Sequence, residues 1–307
     1  MQLFDLHCDS IVKYKEEDSD FLCGSTQFSL REIKEMKRIC QAMAVFIPDD
    51  IRGEAAFQYF QTHAEYMRLL TDRQSDIVEQ VMDASDIRRI TEAGKCAAIL
   101  AVESGAALAG KLEHIDVLAD YGVKMMTLVW NGRNELGSGH DTEEGLTEFG
   151  RQAVKRMEEK KMIVDVSHLN DPGFDQVCAI AEKPFIATHS NLRSVAGHRR
   201  NLTDDQFREI VKRGGLAGLN LHEPFVSDDK NGDAAHVYRH IEKMLELGGE
   251  KVIACGSDFD GADIDEGLDT PRKFAALADY LLQKGIKETV VDGIFFDNAL
   301  EFFEKNM

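Results

Sequence analysis

The sequence predicts an α/β protein, a (β/α)8 TIM-type barrel that takes in residues 1–307 as a single domain. Three observations point there. Eight short apolar runs alternate with helix-length segments along the chain. The stretch 162–201 reads as strand, helix, strand, and each of its two apolar runs is followed two residues later by a histidine, His168 and His189. No Pro-, Gly- or Ser-rich linker divides the 307 residues, a length that one barrel accommodates.

In order, residues 2–7 form the first strand, which runs into Cys8 and Asp9. With a strand period of two, His7 and Asp9 share a side. Residues 28–38 have helical spacing, and 40–47 make a second strand ended by Pro48. The helix at 53–70 carries a core stripe of Phe57, Phe60, Ala64 and Met67, while Tyr59 and Tyr66 share a different face. A short helix at 86–93 precedes the third strand, 96–102, with Glu103 at its carboxyl end. A helix at 111–121, stopped by Gly122, leads to the fourth strand, 124–130. The Gly- and Asn-rich loop 131–144 is long enough to cover a site, and a helix follows at 147–160. The central unit places strands at 162–166 and 184–187 around a helix at 173–182. After it come a helix at 203–212 with Thr203 and Asp204 as cap candidates, a strand at 215–221 and a helix at 235–247. The eighth strand, 251–256, delivers Asp258, and helices at 270–284 and 297–305 complete the chain.

Composition excludes some partners. A net charge of −19 and the lack of a basic run disfavour nucleic acid and anionic membrane, since a phosphate partner needs a basic footprint. The six cysteines form no CxxC pair, and several sit in or beside apolar strand runs, as buried thiols in a reducing compartment do. The first residues show neither a basic region nor an apolar leader, and no run approaches a spanning length. A cytoplasmic protein without a membrane partner is the expectation.

In a parallel barrel all carboxyl strand ends open on one mouth. His7, Asp9, Glu103, His168, His189 and Asp258 stand at those ends. Any one of them has an ordinary structural explanation; together they make a metal or catalytic site the better reading. Imidazoles and carboxylates without thiolate suit Zn²⁺, with Mn²⁺, Co²⁺ or Fe²⁺ as rivals. Five candidate ligands, His7, Asp9, Glu103, His168 and His189, exceed the need of one catalytic zinc. Two ions sharing Glu103 use them all, and their charge exceeds that of two carboxylates, which suits an anionic substrate.

The strings DLHCDS, AVESGAAL, DVSH, THS, HRRN and GSDFDG, spread over nearly the whole chain, resemble the membrane dipeptidase (renal dipeptidase) family of binuclear zinc peptidases within the amidohydrolase-like barrels. The resemblance implies His7 and Asp9 on one zinc, His168 and His189 on the other, and Glu103 between them. It further implies Arg200 as receiver of the substrate carboxylate and Asp258 as catalytic acid; for Arg200 an ion pair with Asp204 or Asp205 is the structural alternative. A possible homodimer is implied by the family alone. One departure stands out: where better-known members carry a histidine after strand four, this chain has Trp130. Trp130 is read as pocket wall, and Asn131, Arg133 and Asn134 are the nearest candidates for the vacant substrate-holding role. The expected activity is metal-assisted hydrolysis of dipeptides, with tolerance of a D-residue at the carboxyl end. The alternatives are a deacylase of N-acyl amino acids, another amide or ester hydrolase on the same centre, or a non-catalytic metal-binding protein.

Overall fold

Strands of two to nine residues, buried on both faces, need covering on both sides, and the chain supplies it with helices between them. The computed structural model of the protein describes residues 1–31 and 36–307. Among these the strands are β1 (Gln2–Cys8), β2 (Arg38–Phe46), β3 (Val78–Gln80), β4 (Cys96–Glu103), β5 (Met125–Thr127), β6 (Ile163–Asp165), β7 (Ile186–Ala187), β8 (Leu216–Leu219) and β9 (Ile253–Cys255). Neighbours pair in the order β2-β1-β9-β8-β7-β6-β5-β4, every pair is parallel, and β2 returns to β4 along Ile39↔Cys96 to Phe46↔Glu103. Eight strands therefore close a parallel barrel, as the sequence predicts.

The ninth strand, β3, is absent from the sequence reading. It pairs with residues 96–98 of β4, while β5 takes residues 101–103 of the same edge. Three residues with one buried side chain offer no periodicity to detect.

Alternate strand residues fill the barrel: Phe4, Ala42, Ile99, Met125 and Ile186 belong to one apolar cluster, closed by Phe296 and Phe303. Phe4 stacks on Phe303 at 5.2 Å, so the helix Asn298–Asn306 seals the end opposite the histidines. The intervening positions, such as Met43, Val45 and Leu100, belong to a second apolar cluster that also takes in helix residues Phe57, Phe60, Val154 and Ile241.

Several helices start where the cap residues place them. Asn170 accepts from the Gly173 amide ahead of Asp171–Ile180, which carries a proline in its first turn. Thr203 and Gln206 form a reciprocal capping box on Asp204–Arg213, which ends at Gly214 in the left-handed region, φ 67°. The helices Ser10–Glu16 and Glu223–Val226, one or two turns long, are additions to the sequence reading. The helix expected at 28–38 falls in part on residues outside the described set; Arg38 itself opens β2. Strand four is shorter than expected: β5 stops at Thr127, so Trp130 stands in the loop beyond it.

Candidate metal centre and active site

The ends of β1, β4, β6, β7 and β9 bring His7, Asp9, Glu103, His168, His189 and Asp258 together, all of them 9% exposed or less. The backbone is bent hard to do this. His168, Asp258 and Ser104, which follows Glu103, have φ of 69°, 67° and 84°, a region that non-glycine residues enter at a cost and that clusters at functional sites.

Glu103 is the hinge of the arrangement. Its Oε1 lies 2.8 Å from His168 Nε2 and 3.4 Å from His189 Nε2, while its Oε2 lies 3.4 Å from His7 Nε2. His7 Nε2 is also 3.6 Å from Asp9 Oδ1 and 3.9 Å from Asp258 Oδ1. Two compact ligand groups result, His7–Asp9–Glu103 and Glu103–His168–His189, with a third candidate grouping of His7, His189 and Asp258.

Hydrogen bonds outside these groups hold the rings. His168 Nδ1 meets Asn131 Oδ1 at 2.9 Å, and His189 Nδ1 meets the Thr188 hydroxyl at 2.7 Å. Asp258 Oδ2 accepts from Asn220 Nδ2 at 3.0 Å, leaving Oδ1 toward His7. The following Asp260 is anchored by the Ser10 hydroxyl at 2.5 Å and the Gln27 amide at 2.9 Å, which pins the 258–261 turn.

Whether these residues fit metal ions is answered by their unsatisfied atoms. His7 Nε2 and Asp9 Oδ1 are buried without a hydrogen-bond partner, and His168 Nε2 and His189 Nε2 face each other at 3.0 Å. Lone pairs crowded this closely in a dry place call for a cation. Charge says the same. Burial, then the neighbouring Glu103 carboxylate, push Asp9 up to about 7. Burial disfavours the His7 imidazolium, but Glu103 and Asp9 outweigh it and hold His7 well above its ordinary value. Burial opposes ionisation of Glu103 too, yet His7 and the facing rings of His168 and His189 keep it well below the usual carboxylate range. The donor set, imidazole and carboxylate without thiolate, fits zinc and its neighbours.

A cavity of about 410 Å³ opens over the cluster, lined among others by Asp9, Glu103, Trp130, Asn131, His168 and Asp258. Trp130 forms its wall together with Phe46, the rings edge to face at 4.8 Å. Asn131 lines the cavity and also holds His168. Of the loop's other candidates, Asn134 is spent on the Leu128 carbonyl and Arg133 pairs with Glu144. Arg200 is 3% exposed and lies behind the histidines: it donates to Ser190 Oγ at 2.6 Å and to the His189 carbonyl at 2.9 Å, and its Nε has no partner. Burial lowers its pKa to about 10, against the pull of Asp258 and Glu103. Asp204 and Asp205 accept instead from Ser194 and Arg208.

Several site residues escape sequence reasoning. Asn220 and Thr188 act through other side chains and carry no spacing of their own, although Thr188 sits in the THS string. His140, from the 131–144 loop, packs 5.9 Å from His168 and 5.8 Å from His198, with burial and the nearby Arg200 charge lowering it to about 2.

Known proteins bear on this geometry. A metallo peptidase from Rhodobacter sphaeroides, solved with a phosphinate mimic of the dipeptide L-Ala-D-Ala, superposes with a TM-score of 0.93 at 25% identity over 100% of this chain and 99% of that one. A structure described as dipeptidase AC, a metallo peptidase of family M19, gives 0.94 at 26% identity, covering 100% and 98%. An uncharacterized protein in the pqqA 5' region of Klebsiella pneumoniae is 32% identical over 231 residues, 71% of this chain and 85% of that protein. The model of the membrane dipeptidase family, peptidase family M19, matches residues 1–306, so the chain belongs to that family and is a metal-dependent hydrolase.

Proposed function

We propose that the chain is a binuclear zinc dipeptidase that accepts a D-residue at the carboxyl end of its substrate. The observation that carries the reading is Glu103, whose two oxygens are divided between two ligand groups. His7 and Asp9 would hold one ion and His168 and His189 the other, with Glu103 serving both. When bound, the ions supply a water acidified toward neutrality and polarise the scissile carbonyl. Asn131 orients the His168 ring. Asp258 has one oxygen tied to Asn220 and the other turned to the site, the posture of a group that moves a proton to the leaving amine. Arg200 offers a guanidinium, whose planar fork matches a carboxylate, close behind the site. The L-Ala-D-Ala mimic in the Rhodobacter sphaeroides enzyme supports this substrate class, and the family match over 1–306 supports one catalytic unit. Six free cysteines support a reducing, cytoplasmic setting; no helix among the described residues is long and apolar enough to cross a membrane.

The Trp130–Phe46 wall favours a second reading, deacylation of N-acyl amino acids, since an acyl chain suits an apolar surface better than a free ammonium does. The deciding experiment measures kcat/KM for L-Ala-D-Ala, its carboxyl amide and N-acyl-alanines on metal-analysed protein. About two metal equivalents and strong discrimination against the amide are expected; equal values for acid and amide would show that the carboxylate is not read.

A further inference from the structure

Behind the paired histidines lies a buried carboxylate that the reaction does not need directly. Asp165 ends β6 at 1% exposure, and four donors converge on it. Its Oδ1 accepts from the Ser167 amide at 2.9 Å and the Thr188 amide at 3.0 Å. Its Oδ2 accepts from the Thr127 and Thr188 hydroxyls, each at 2.6 Å. A carboxylate has about four acceptor positions, and all are used. The same Thr188 oxygen is 2.7 Å from His189 Nδ1.

The Thr188 hydroxyl has one proton and two short contacts that could take it. The carboxylate is the stronger acceptor, because a charge-assisted hydrogen bond is roughly twice as strong as a neutral one. Its proton therefore goes to Asp165, and its lone pair is left for His189 Nδ1, which must then carry a hydrogen. The neutral ring has only one, so Nε2, facing Glu103 and His168, is bare and free to ligate. Asp165 also bonds the amides of Ser167 and Thr188, each immediately before a site histidine, so one carboxylate links the turn after β6 to the turn after β7.

We infer that Asp165, acting through the Thr188 hydroxyl, is a positioning residue that keeps the His189 proton on Nδ1 and sets the spacing between His189 and His168. The inference rests on the metal-centre reading for its purpose, though not for its geometry. Orienting groups of this kind typically change metal affinity by about 10- to 100-fold.

The test uses full-length protein with ¹⁵N-labelled histidine, metal-free, in which the ring nitrogens report which one carries the proton. Wild type is expected to show His189 protonated at Nδ1 alone. Thr188→Val, isosteric and without the hydroxyl, should lose that single state and bind zinc about 10- to 100-fold more weakly. Thr188→Ser should restore both, and Thr127→Val, which removes another donor from Asp165 but no partner of His189, should keep the wild-type tautomer. A wild-type ring protonated at Nε2, or a Thr188→Val protein with wild-type tautomer and affinity, would overturn the inference. The wild-type spectrum decides even if Thr188→Val does not fold. Wild-type protein that shows the Nδ1 tautomer but leaves His189 unperturbed on zinc addition would overturn the metal-centre reading and leave the lock standing.

Discussion

Asp258 and Asp9 sit within one turn of space of the same imidazole, yet their surroundings give them different work. Asp258 is anchored through one oxygen, so Asp258→Asn should keep the metal content and lower kcat by roughly 100-fold or more, the scale of a positioned acid or base. Steady-state kinetics beside metal analysis separate this from a ligand role, in which metal would be lost. Asp9 makes its own prediction in metal-free protein. Its pKa rises from 3.8 to about 7, so between those values the folded chain holds a proton that the unfolded chain has released. Stability then falls as pH rises through that window and stays at its lower level above it. Asn carries no such proton, so the melting temperature of Asp9→Asn relative to wild type should climb from pH 4 to pH 7; a flat difference would show that Asp9 ionises freely in the fold. Most of the ligand-type residues were legible in the sequence because histidines and acids directly after apolar runs are conspicuous. Asn220 and Thr188 were not, because their function lies in the partner each meets at a neighbouring strand end.

At the level of elements, the strands that deliver His168 and His189 are only three and two residues long, and their position depends on neighbours. Gly218 in β8 and Gly256 after β9 both abut the Thr188 backbone, and a methyl built on either would overlap the Thr188 carbonyl oxygen. The obstacle is backbone, which cannot swing aside. Gly218→Ala should therefore destabilise by about 1–3 kcal/mol or more through overpacking, and weaken metal binding because Thr188 precedes His189. Denaturant melts with metal titration check this. Gly197→Ala, whose methyl meets only the Asp228 carboxylate at 3.6 Å, should change neither. Helices with an amphipathic stripe and a cap were legible to within a few residues. β3 and the turn-length helices were not, since they are formed by tertiary pairing rather than by local pattern.

For the whole molecule, eight alternations of apolar run and helix led to the right closure, because a parallel sheet buried on both faces writes itself as apolar runs. The candidate ligands come from four strand ends around one mouth, and an unfolded chain cannot gather them. Metal should thus stabilise by mass action, about 2.7 kcal/mol at a free concentration 100 times Kd. Thermal melts with added zinc and with chelator should differ accordingly; coincident melts would show that the folded chain does not form the site. Trp130 has a further consequence. It is the chain's one tryptophan, on the cavity wall with its ring centre 6.4 Å from that of His168. Excited near 295 nm, where tryptophan alone absorbs among the ordinary side chains, the protein emits from the mouth of the candidate site, so substrate arrival and cobalt loading should become visible as quenching, without any label.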